Sequence, residues 1–494
     1  MVTPTSHLMT LDLSAPCHVH IVGIGGMAMS GIAAVLTRLG HAVSGSDLKA
    51  WRGLERLRLL GVEVNVPHDA ARLPEELDAV VVSTAIPPSN PEVVAARERG
   101  VPVLRRADAL AAIVNTRRTV AISGTHGKTT TSTMTTLILR AAGWHPSFLI
   151  GGEPNEVGSN AAYDDGEWLV VEADESDGTF LEIAPEAVIL TNVEPDHLDH
   201  YGDFAALEAA CAKYLASAPG PRLACADDPV AARLAREVGG VLTYGTGPDA
   251  DYMVSGYAGD RSGSRFTLSR QGTVLGEIVL PAPGRHNARN AAGAAAMATE
   301  IGVPFDAVRA ALGRFAGVAR RFQFHGEVDG VTLVDDYAHL PGEVRATLAA
   351  AREGGWSRVV AVFQPHRYSR TARLWRDFGE AFDDADVVVL TDVYGAGEPP
   401  RPGVSGRLVL QAVCEARPGR RILYLPRRAD LLERLPALVR PGDLVLTLGA
   451  GDVTSLADEW LRRALGVPAG SSASGGVRVQ PEVVSPEAGA GIAS

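Results

Sequence analysis

The chain has 494 residues, of which 46% are hydrophobic and 21% are charged, as is typical of a globular protein of about three domains. Its net charge of −12 argues against general binding to nucleic acid or to an anionic membrane. The four cysteines have no metal-ligand spacing, and no apolar run is long enough to span a membrane. Because the first lysine or arginine is Arg38, we expect no signal peptide and a cytoplasmic protein.

The first predicted element combines a strand, a glycine loop and a helix in the stretch HVHIVGIGGMAMSGIAAVL. Gly23, Gly25 and Gly26 fall in the turn, and a second strand leads to Asp47, where a Rossmann fold places an acid that binds ribose. Such a loop can hold the diphosphate of a nucleotide, so a dinucleotide dehydrogenase is one interpretation. Three further strands predict an α/β domain here, at residues 61–66, 79–86 and 101–104.

The second glycine loop lies in VAISGTHGKTTTS, again between a predicted strand and a predicted helix. It departs from the phosphate-loop pattern G-x-x-x-x-G-K-[ST], because an isoleucine stands where the first glycine is expected. The amides near Gly124 and Gly127 can still converge on an anion at the helix N-terminus. Lys128 can reach the outer phosphates of a nucleotide, and the hydroxyl of Thr129 suits Mg²⁺. Two phosphate-binding loops predict two different nucleotides, which is unusual for a dehydrogenase.

Carboxylates and a histidine follow two predicted strands in the middle of the chain. EWLVVEADESD ends a strand at Glu172, and AVILTNVEPDHLDHYGD places His197 just after another strand. In open α/β sheets, ligands bind at the carboxyl ends of the strands, where these residues fall. Oxygen donors beside a phosphate loop suit Mg²⁺, for which histidine is a less usual ligand. Glu172 is therefore the stronger candidate.

Three later segments carry polar side chains at a predicted helix start or strand end. GRHNARNA brings His286, Asn287 and Asn290 to the start of an Ala-rich helix, where they can read an adenine edge or simply cap the helix. VTLVDDYAHLP ends a strand at Asp336. Arginine forks at a strand end suit carboxylate or phosphate, and VVAVFQPHRYSRT supplies such a cluster with His366, Arg367 and Arg370.

The predicted organisation is three α/β units. Their boundaries are expected at residues 1–115, 116–318 and 319–466. Residues 467–494 are rich in Gly, Ala, Ser and Pro and lack hydrophobic periodicity, which predicts a disordered tail.

The ordered set of motifs resembles the Mur ligases, cytoplasmic enzymes that add amino acids to the bacterial cell-wall precursor. The resemblance covers roughly residues 15–465 and rests on GIGGMAMSGIA, SGSD, STAIPPSNPEV, GTHGKTTT, EADESD, TNVEPDHLD, GRHNARNA, RRF, DDYAHLP and QPHRYSRT. The family carries GTHGKT or GTNGKT as its phosphate loop, which accounts for the shorter loop. The resemblance implies an α/β protein of three domains: a Rossmann-like N-terminal domain, a central ATP-binding P-loop domain and a Rossmann-like C-terminal domain.

The resemblance also implies a reaction, closest to that of the family members that attach L-alanine to UDP-N-acetylmuramate. ATP converts the carboxylate of the sugar nucleotide into an acyl phosphate, which the amine of L-alanine then attacks. The implied ligands are ATP, Mg²⁺ and these two small-molecule substrates, without nucleic acid or membrane. The expected state is a monomer or a homodimer.

By resemblance, each candidate residue receives a role. Catalysis is assigned to Lys128, Glu172, His197 and His339. ATP is assigned to Gly124, Thr125, His126, Gly127, Lys128, Thr129 and Thr130, with His286, Asn287, Asn290, Arg320 and Asp336. The metal is assigned to Thr129, Glu172 and His197. The sugar nucleotide is assigned to Gly23, Gly25, Gly26, Ser30 and Asp47, and the amino acid and acyl intermediate to His339, His366, Arg367 and Arg370.

The chain departs from the family pattern at two positions. The family usually has glycine where Ala28 stands and a second histidine where Leu340 stands. Three alternative functions remain open: a sister ligase that attaches a recycled tripeptide to the same sugar nucleotide, the dehydrogenase, and an ATPase switch. The order of the motifs speaks against the last two.

Overall fold

A computed structural model describes residues 11–50, 52–83 and 85–466, so the predicted tail at 467–494 lies outside the described residues. The chain forms two compact units. The first runs to Arg321 and includes Ala349–Gly355, and the second comprises Phe322–Leu348 and the residues from Trp356 onward. None of the helices in the described ranges is both long enough and apolar enough to cross a membrane.

The first sheet of the first unit is parallel and has five strands. The strands are β1 (His18–Val22), β2 (Ala42–Ser46), β3 (Glu63–Asn65), β4 (Ala79–Val82) and β5 (Val103–Arg105). The helices are α1 (Met27–Arg38), α2 (Arg52–Leu59), α3 (Pro91–Glu98) and α4 (Arg106–Val114). The strand order is β3-β2-β1-β4-β5, so the buried run of β1 lies at the centre, and its carboxyl end carries the first glycine loop.

The second sheet of the same unit has ten strands. The strands are β6 (Arg118–Ser123), β7 (Ser147–Leu149), β8 (Ala161–Ala162), β9 (Trp168–Glu172), β10 (Ala187–Leu190), β11 (Arg222–Cys225), β12 (Leu242–Gly245), β13 (Tyr252–Asp260), β14 (Gly263–Arg270) and β15 (Thr273–Leu280). The helices are α5 (Lys128–Ala141), α6 (Leu198–Tyr201), α7 (Phe204–Ser217), α8 (Pro229–Val238), α9 (Arg285–Glu300) and α10 (Phe305–Leu312). Strand β6 pairs in parallel with β9 and β10, which brings three loops to one edge.

Polar contacts join these two sheets within the first unit. The amide of Asn160 donates to the carbonyl of Met27, at the start of α1, over 2.7 Å. The guanidinium of Arg105 pairs with Glu182, and Arg106 Nη2 lies 2.8 Å from Asp177 Oδ2. The two glycine loops are therefore carried by one body.

The sheet of the second unit has six strands in the order β16-β17-β21-β18-β19-β20. The strands are β16 (Gln323–Val328), β17 (Val331–Asp336), β18 (Arg358–Phe363), β19 (Val387–Leu390), β20 (Ile422–Tyr424) and β21 (Asp443–Leu448). The helices are α11 (Pro341–Glu353), of which the residues from Ala349 belong to the first unit, α12 (Tyr368–Leu374), α13 (Gly406–Ala416), α14 (Arg428–Leu438) and α15 (Leu456–Ala464). All pairs are parallel except β16 with β17.

The three sheets confirm the expected α/β architecture. Strands β13, β14 and β15 are an addition that the sequence did not indicate. They pair in antiparallel fashion at one end of the second sheet. Because antiparallel strands can expose one face to solvent, their apolar pattern is weaker than that of the buried parallel strands.

Candidate active site

The first glycine loop joins β1 to α1 and is organised by the end of β2. The amides of Gly23 and Ile24 both donate to the carbonyl of Ser46, over 2.9 and 3.0 Å. The next residue, Asp47, accepts the amide of Gly25 through Oδ2 over 2.8 Å. Gly23 has φ of +80°, a left-handed conformation that a side chain disfavours. The structure thus brings Asp47 directly onto the loop.

The other predicted residues of this site lie at the start of α1. Gly26 caps the helix with φ of −62°, and Ser30 in the first turn donates its hydroxyl to the carbonyl of Met27 over 2.9 Å. Ala28 is exposed. The side chain at this departure from the family pattern therefore points away from the protein core.

Both glycines of the second loop are required by close contacts. Gly124 has φ of +125°, and a Cβ atom there would lie 2.3 Å from Thr191 Oγ1. Gly127 caps α5 with φ of +81°, and a Cβ atom there would lie 2.5 Å from Asn290 Oδ1. The loop is therefore compact, and Asn290 of α9 lies against it.

The second loop is tied to the segment that follows β10. The amide of Thr125 donates to the carbonyl of Asn192 over 3.0 Å, and the amide of His126 donates to Asn192 Oδ1 over 2.8 Å. The hydroxyl of Thr191 donates to the carbonyl of His126 over 2.6 Å. The imidazole of His126 faces Glu194, with Nε2 3.3 Å from Oε2. These bonds hold the loop in shape from the neighbouring strand end.

Lys128 is the first residue of α5, and its partly buried ammonium lies inside the loop. Nζ donates to the carbonyls of Gly124 and Thr125 over 2.6 and 3.3 Å, and it lies 2.9 Å from Glu175 Oε2. Burial alone would lower the pKa of Lys128, but Glu175 and two neighbouring carboxylates raise it above its ordinary value. The lysine is therefore a permanent cation.

Two predicted metal ligands, Thr129 and Glu172, lie against the consecutive glycines Gly151 and Gly152. The carboxylate of Glu172 accepts the amide of Gly151 over 2.8 Å, and a Cβ atom at Gly151 would lie 2.7 Å from both of its oxygens. A Cβ atom at Gly152 would lie 2.8 Å from the methyl carbon of Thr129. The next residue, Thr130, is buried in α5. A carboxylate and a hydroxyl beside a phosphate loop are a donor set that fits Mg²⁺.

The third predicted metal ligand, His197, lies in the loop before α6. It has φ of +53°, and its Nε2 lies 3.2 Å from Oδ2 of Asp196. Within the described residues, the group of three acidic or histidine ligand atoms that converge within 4.8 Å lies elsewhere, on the exposed surface, and comprises His145, Asp164 and Asp165. The contact of His197 is thus local, and its role as a metal ligand stays a prediction.

The helix α9 carries the predicted adenosine motif beside the second loop. Asn287 is buried and donates its amide to the carbonyl of Pro283 over 2.8 Å. Burial, together with Arg289 and Arg321, lowers the pKa of His286 to about 4. His286 is therefore neutral at physiological pH. Of the three, Asn290 is the residue that contacts the phosphate loop, through Gly127.

The second unit carries a basic cluster, which we define as His339, His366, Arg367 and Arg370. The rings of His339 and His366 lie 5.6 Å apart, and His366 stacks on Tyr394 at 5.9 Å. His366 Nδ1 lies 3.0 Å from Nη1 of Arg370. Burial, followed by the charges of His339 and both arginines, lowers the pKa of His366 to about 3. His366 therefore accepts the hydrogen bond and orients Arg370.

The remaining predicted residues divide between the units. Arg320 belongs to the first unit and has φ of +63°. Asp336 ends β17 in the second unit, where it is buried and accepts the amides of Phe322 and Ala338 over 2.8 Å each. Leu340, the second departure from the family pattern, is buried with 5% exposure. An apolar core side chain thus replaces the usual imidazole.

Models of the Mur ligase family match three successive parts of the chain. The catalytic-domain model covers residues 18–118, the middle-domain model covers 122–298 and the glutamate ligase domain model covers 320–451. The chain belongs to the Mur ligase family. This confirms the resemblance on which the site residues were chosen.

Individual relatives of this Mur ligase align over most of its length. It is 46% identical to a UDP-N-acetylmuramate–L-alanine ligase from Pelotomaculum thermopropionicum, over 90% of this chain and 97% of the relative. It is 29% identical to the crystal structure of a UDP-N-acetylmuramate–alanine ligase from Thermotoga maritima, with a TM-score of 0.77, covering 91% of this chain and 99% of that one. A murein peptide ligase from Psychrobacter arcticus is 25% identical with a TM-score of 0.66, covering 91% and 99%.

Several residues of this Mur ligase site were not among those chosen from the sequence. Glu175 holds Lys128, Asn192 holds the loop, and Gly151 and Gly152 lie against the candidate metal ligands. A signal existed for Glu175, since it belongs to the same EADESD run as Glu172. Which carboxylate of that run is buried against the lysine depends on packing, and the sequence does not show it.

Proposed function

We propose that this Mur ligase joins L-alanine to UDP-N-acetylmuramate and forms UDP-N-acetylmuramoyl-L-alanine, ADP and phosphate. The observation that carries the proposal is the partly buried ammonium of Lys128, held in a compact loop next to Glu175. This loop stands in a chain that is 46% identical over nine tenths of its length to a ligase with that activity. The dehydrogenase and the ATPase switch have no comparable support.

Lys128 acts on the first step of this reaction. A carboxylate oxygen of the sugar nucleotide attacks the γ-phosphorus of ATP, the bond to the β-phosphate oxygen breaks, and ADP leaves. Catalysis of phosphoryl transfer rests mainly on positioning and on stabilising charge. The ammonium of Lys128 meets the phosphoryl oxygens as their charge shifts, and the loop amides around Gly124 and Gly127 orient them.

Thr129 and Glu172 are the residues that would hold Mg²⁺. When bound, Mg²⁺ neutralises phosphate charge and orients the phosphoryl group. The side chains themselves do two things that the geometry supports. Glu172 binds the amide of Gly151, and Thr129 lies against Gly152, so the neighbouring backbone holds both side chains in place.

The basic cluster of the second unit supplies the binding site for the amino acid. Its arginines suit the carboxylate of L-alanine, because a guanidinium can bind both carboxylate oxygens at once. His366 is neutral and orients Arg370 through Nδ1. The amine of L-alanine attacks the acyl carbon, the bond to the phosphate oxygen breaks, and the amide forms as the amine loses its proton. Since both nucleotides belong to the cytoplasmic pool, the proposal places the enzyme there.

The test is phosphate release with UDP-N-acetylmuramate and ATP while the third substrate is varied. We expect fast release with L-alanine and much slower release with glycine, L-serine, a cell-wall tripeptide or no amine. Mass spectrometry should detect the sugar nucleotide extended by one alanine. Preference for the tripeptide would assign the sister activity instead. Equal release without any amine would contradict a ligase.

A further inference from the structure

A helix beside the first sheet carries a buried carboxylate to which no function has been assigned so far. Glu92 lies in the first turn of α3 and is 1% exposed, beside the carboxyl end of β2. Placing a carboxylate in the interior costs free energy unless hydrogen bonds or opposite charges compensate. An apolar residue would anchor the helix without that cost. Packing alone therefore does not explain why a glutamate occupies this position.

Four groups surround the Glu92 carboxylate. Oε2 accepts the hydroxyl of Ser46, and Oε1 accepts the amide of Asp69 over 2.9 Å. His20 Nε2 and His68 Nδ1 lie 3.5 and 3.6 Å from Oε2. Burial favours the neutral carboxyl, but the nearby imidazole of His20 and the hydrogen bonds from Ser46 and the Asp69 amide outweigh it and hold the pKa of Glu92 below its ordinary value. Glu92 is thus a buried anion.

The backbone carbonyl of Ser46 also organises the first glycine loop. Its hydroxyl is held by Glu92 and by His68, whose Nδ1 is 2.6 Å away. Its carbonyl accepts the amides of Gly23 and Ile24, and the next residue, Asp47, accepts that of Gly25. The buried carboxylate is therefore linked to three consecutive loop amides through Ser46 and the adjacent Asp47.

We propose that Glu92 is a positioning residue for the sugar-nucleotide site, holding Ser46 and Asp47 where they shape the glycine loop. The inference rests on the proposed function only in taking UDP-N-acetylmuramate as the ligand of that loop. Glu92 itself touches neither phosphate nor sugar. Its effect is to fix the shape of the glycine loop, since a small displacement of a binding loop weakens the contacts that the loop makes with its ligand.

The first experiment measures the Kd for UDP-N-acetylmuramate by calorimetry, without ATP or L-alanine, in wild type and in Glu92→Gln. The variant keeps the size of the side chain but loses its charge. We expect the Kd to rise at least about fivefold, in keeping with the loss of charged hydrogen bonds. The matched control is Glu98→Gln at the exposed end of the same helix. Its Kd should stay within about twofold of wild type.

A second experiment tests whether the effect passes through Ser46. Ser46→Ala and the double variant Ser46→Ala/Glu92→Gln complete a double-mutant cycle on the same Kd. If Glu92 acts through the serine hydroxyl, the double variant should bind no more weakly than the weaker single variant. Steady-state kinetics should place the loss in the KM for the sugar nucleotide rather than in the KM for ATP.

Three results would overturn the inference: an unchanged Kd in Glu92→Gln, additive effects in the cycle, or an equal rise in both KM values. An equal rise in both KM values would indicate a general loss of structure. The variant Asn90→Ala, which lacks the N-cap of α3, serves as the reference for such a loss, measured by thermal unfolding. Failure of the proposed function looks different. Wild type itself would then not bind UDP-N-acetylmuramate, or would bind it and not use L-alanine.

Discussion

The two glycine loops of the first unit share a backbone plan and differ in charge. Each follows a buried parallel strand and ends at a glycine that caps a helix. The first loop is held by the carboxylate of Asp47, and no lysine or arginine precedes Arg38 in the sequence. The second loop encloses the ammonium of Lys128, with Glu175 behind it.

This difference indicates two tasks for one backbone motif. Amides alone can hold a diphosphate that does not react, because orientation is all that is required. A phosphoryl group that moves between oxygens needs a positive charge that follows it. Substitutions in the two loops should therefore affect activity and stability to different extents.

The largest effect is expected from removing the charge of the second loop. Lys128→Ala should lower kcat/KM by about 10³-fold, because it deletes a charge that meets the transferred phosphoryl group. Phosphate release under saturating L-alanine provides the measurement. Lys213→Ala, at an exposed position of α7, is the matched control and should retain full activity. Near-normal turnover in Lys128→Ala would remove the distinction between the two loops.

The second prediction contrasts the glycines themselves. Gly124→Ala should lower the free energy of unfolding by about 2 kcal/mol or more, since φ is +125° and the new methyl group would meet Thr191. Gly26→Ala should change it by less than about 0.5 kcal/mol, because φ is −62° and the nearest atom is 3.6 Å away. Urea unfolding compares the pair. Equal losses would show that the two loops are equally crowded.

The third prediction concerns the carboxylate of the first loop. Asp47→Ala should raise the KM for UDP-N-acetylmuramate about tenfold, because the amide of Gly25 loses its acceptor. Asp47→Asn retains an oxygen that can accept this amide and should cost less. The KM for ATP should stay near that of wild type in both variants. If the amide variant is as impaired as the alanine variant, the charge of Asp47 matters more than its hydrogen bond.

The smallest effect is a change in pH dependence near the second loop. The pKa of His286 is lowered to about 4, so the unfolded chain binds more protons than the folded one between about pH 6.5 and about pH 4. Stability from this group is therefore present at neutral pH and lost as the pH falls through that window. His286→Asn should lose less thermal stability than wild type on acidification, measured by unfolding scans. His145→Asn, at an exposed site, should behave like wild type.

The sequence predicted the parts of the fold that depend on local pattern. The two strand–loop–helix units around Gly23 and Gly127 were confirmed, because β-branched runs and glycines act over a few residues. Glu92 was not identified, since an acid in the first turn of a helix usually faces solvent. Its burial depends on how α3 packs against β4 and β5 and on the contacts of its carboxylate with His20 and Ser46, which are long-range properties. The antiparallel strands β13–β15 were missed for a similar reason.

The ammonium of Lys128 has three oxygen partners within the protein, from two carbonyls and one carboxylate. An arriving phosphate therefore replaces these oxygens rather than meeting a bare cation. The gain on binding is the difference between two sets of similar contacts, and that difference is small. It grows only when negative charge concentrates on the moving phosphoryl oxygens, so we expect the lysine to increase the rate of the reaction and to add little to the affinity for ATP.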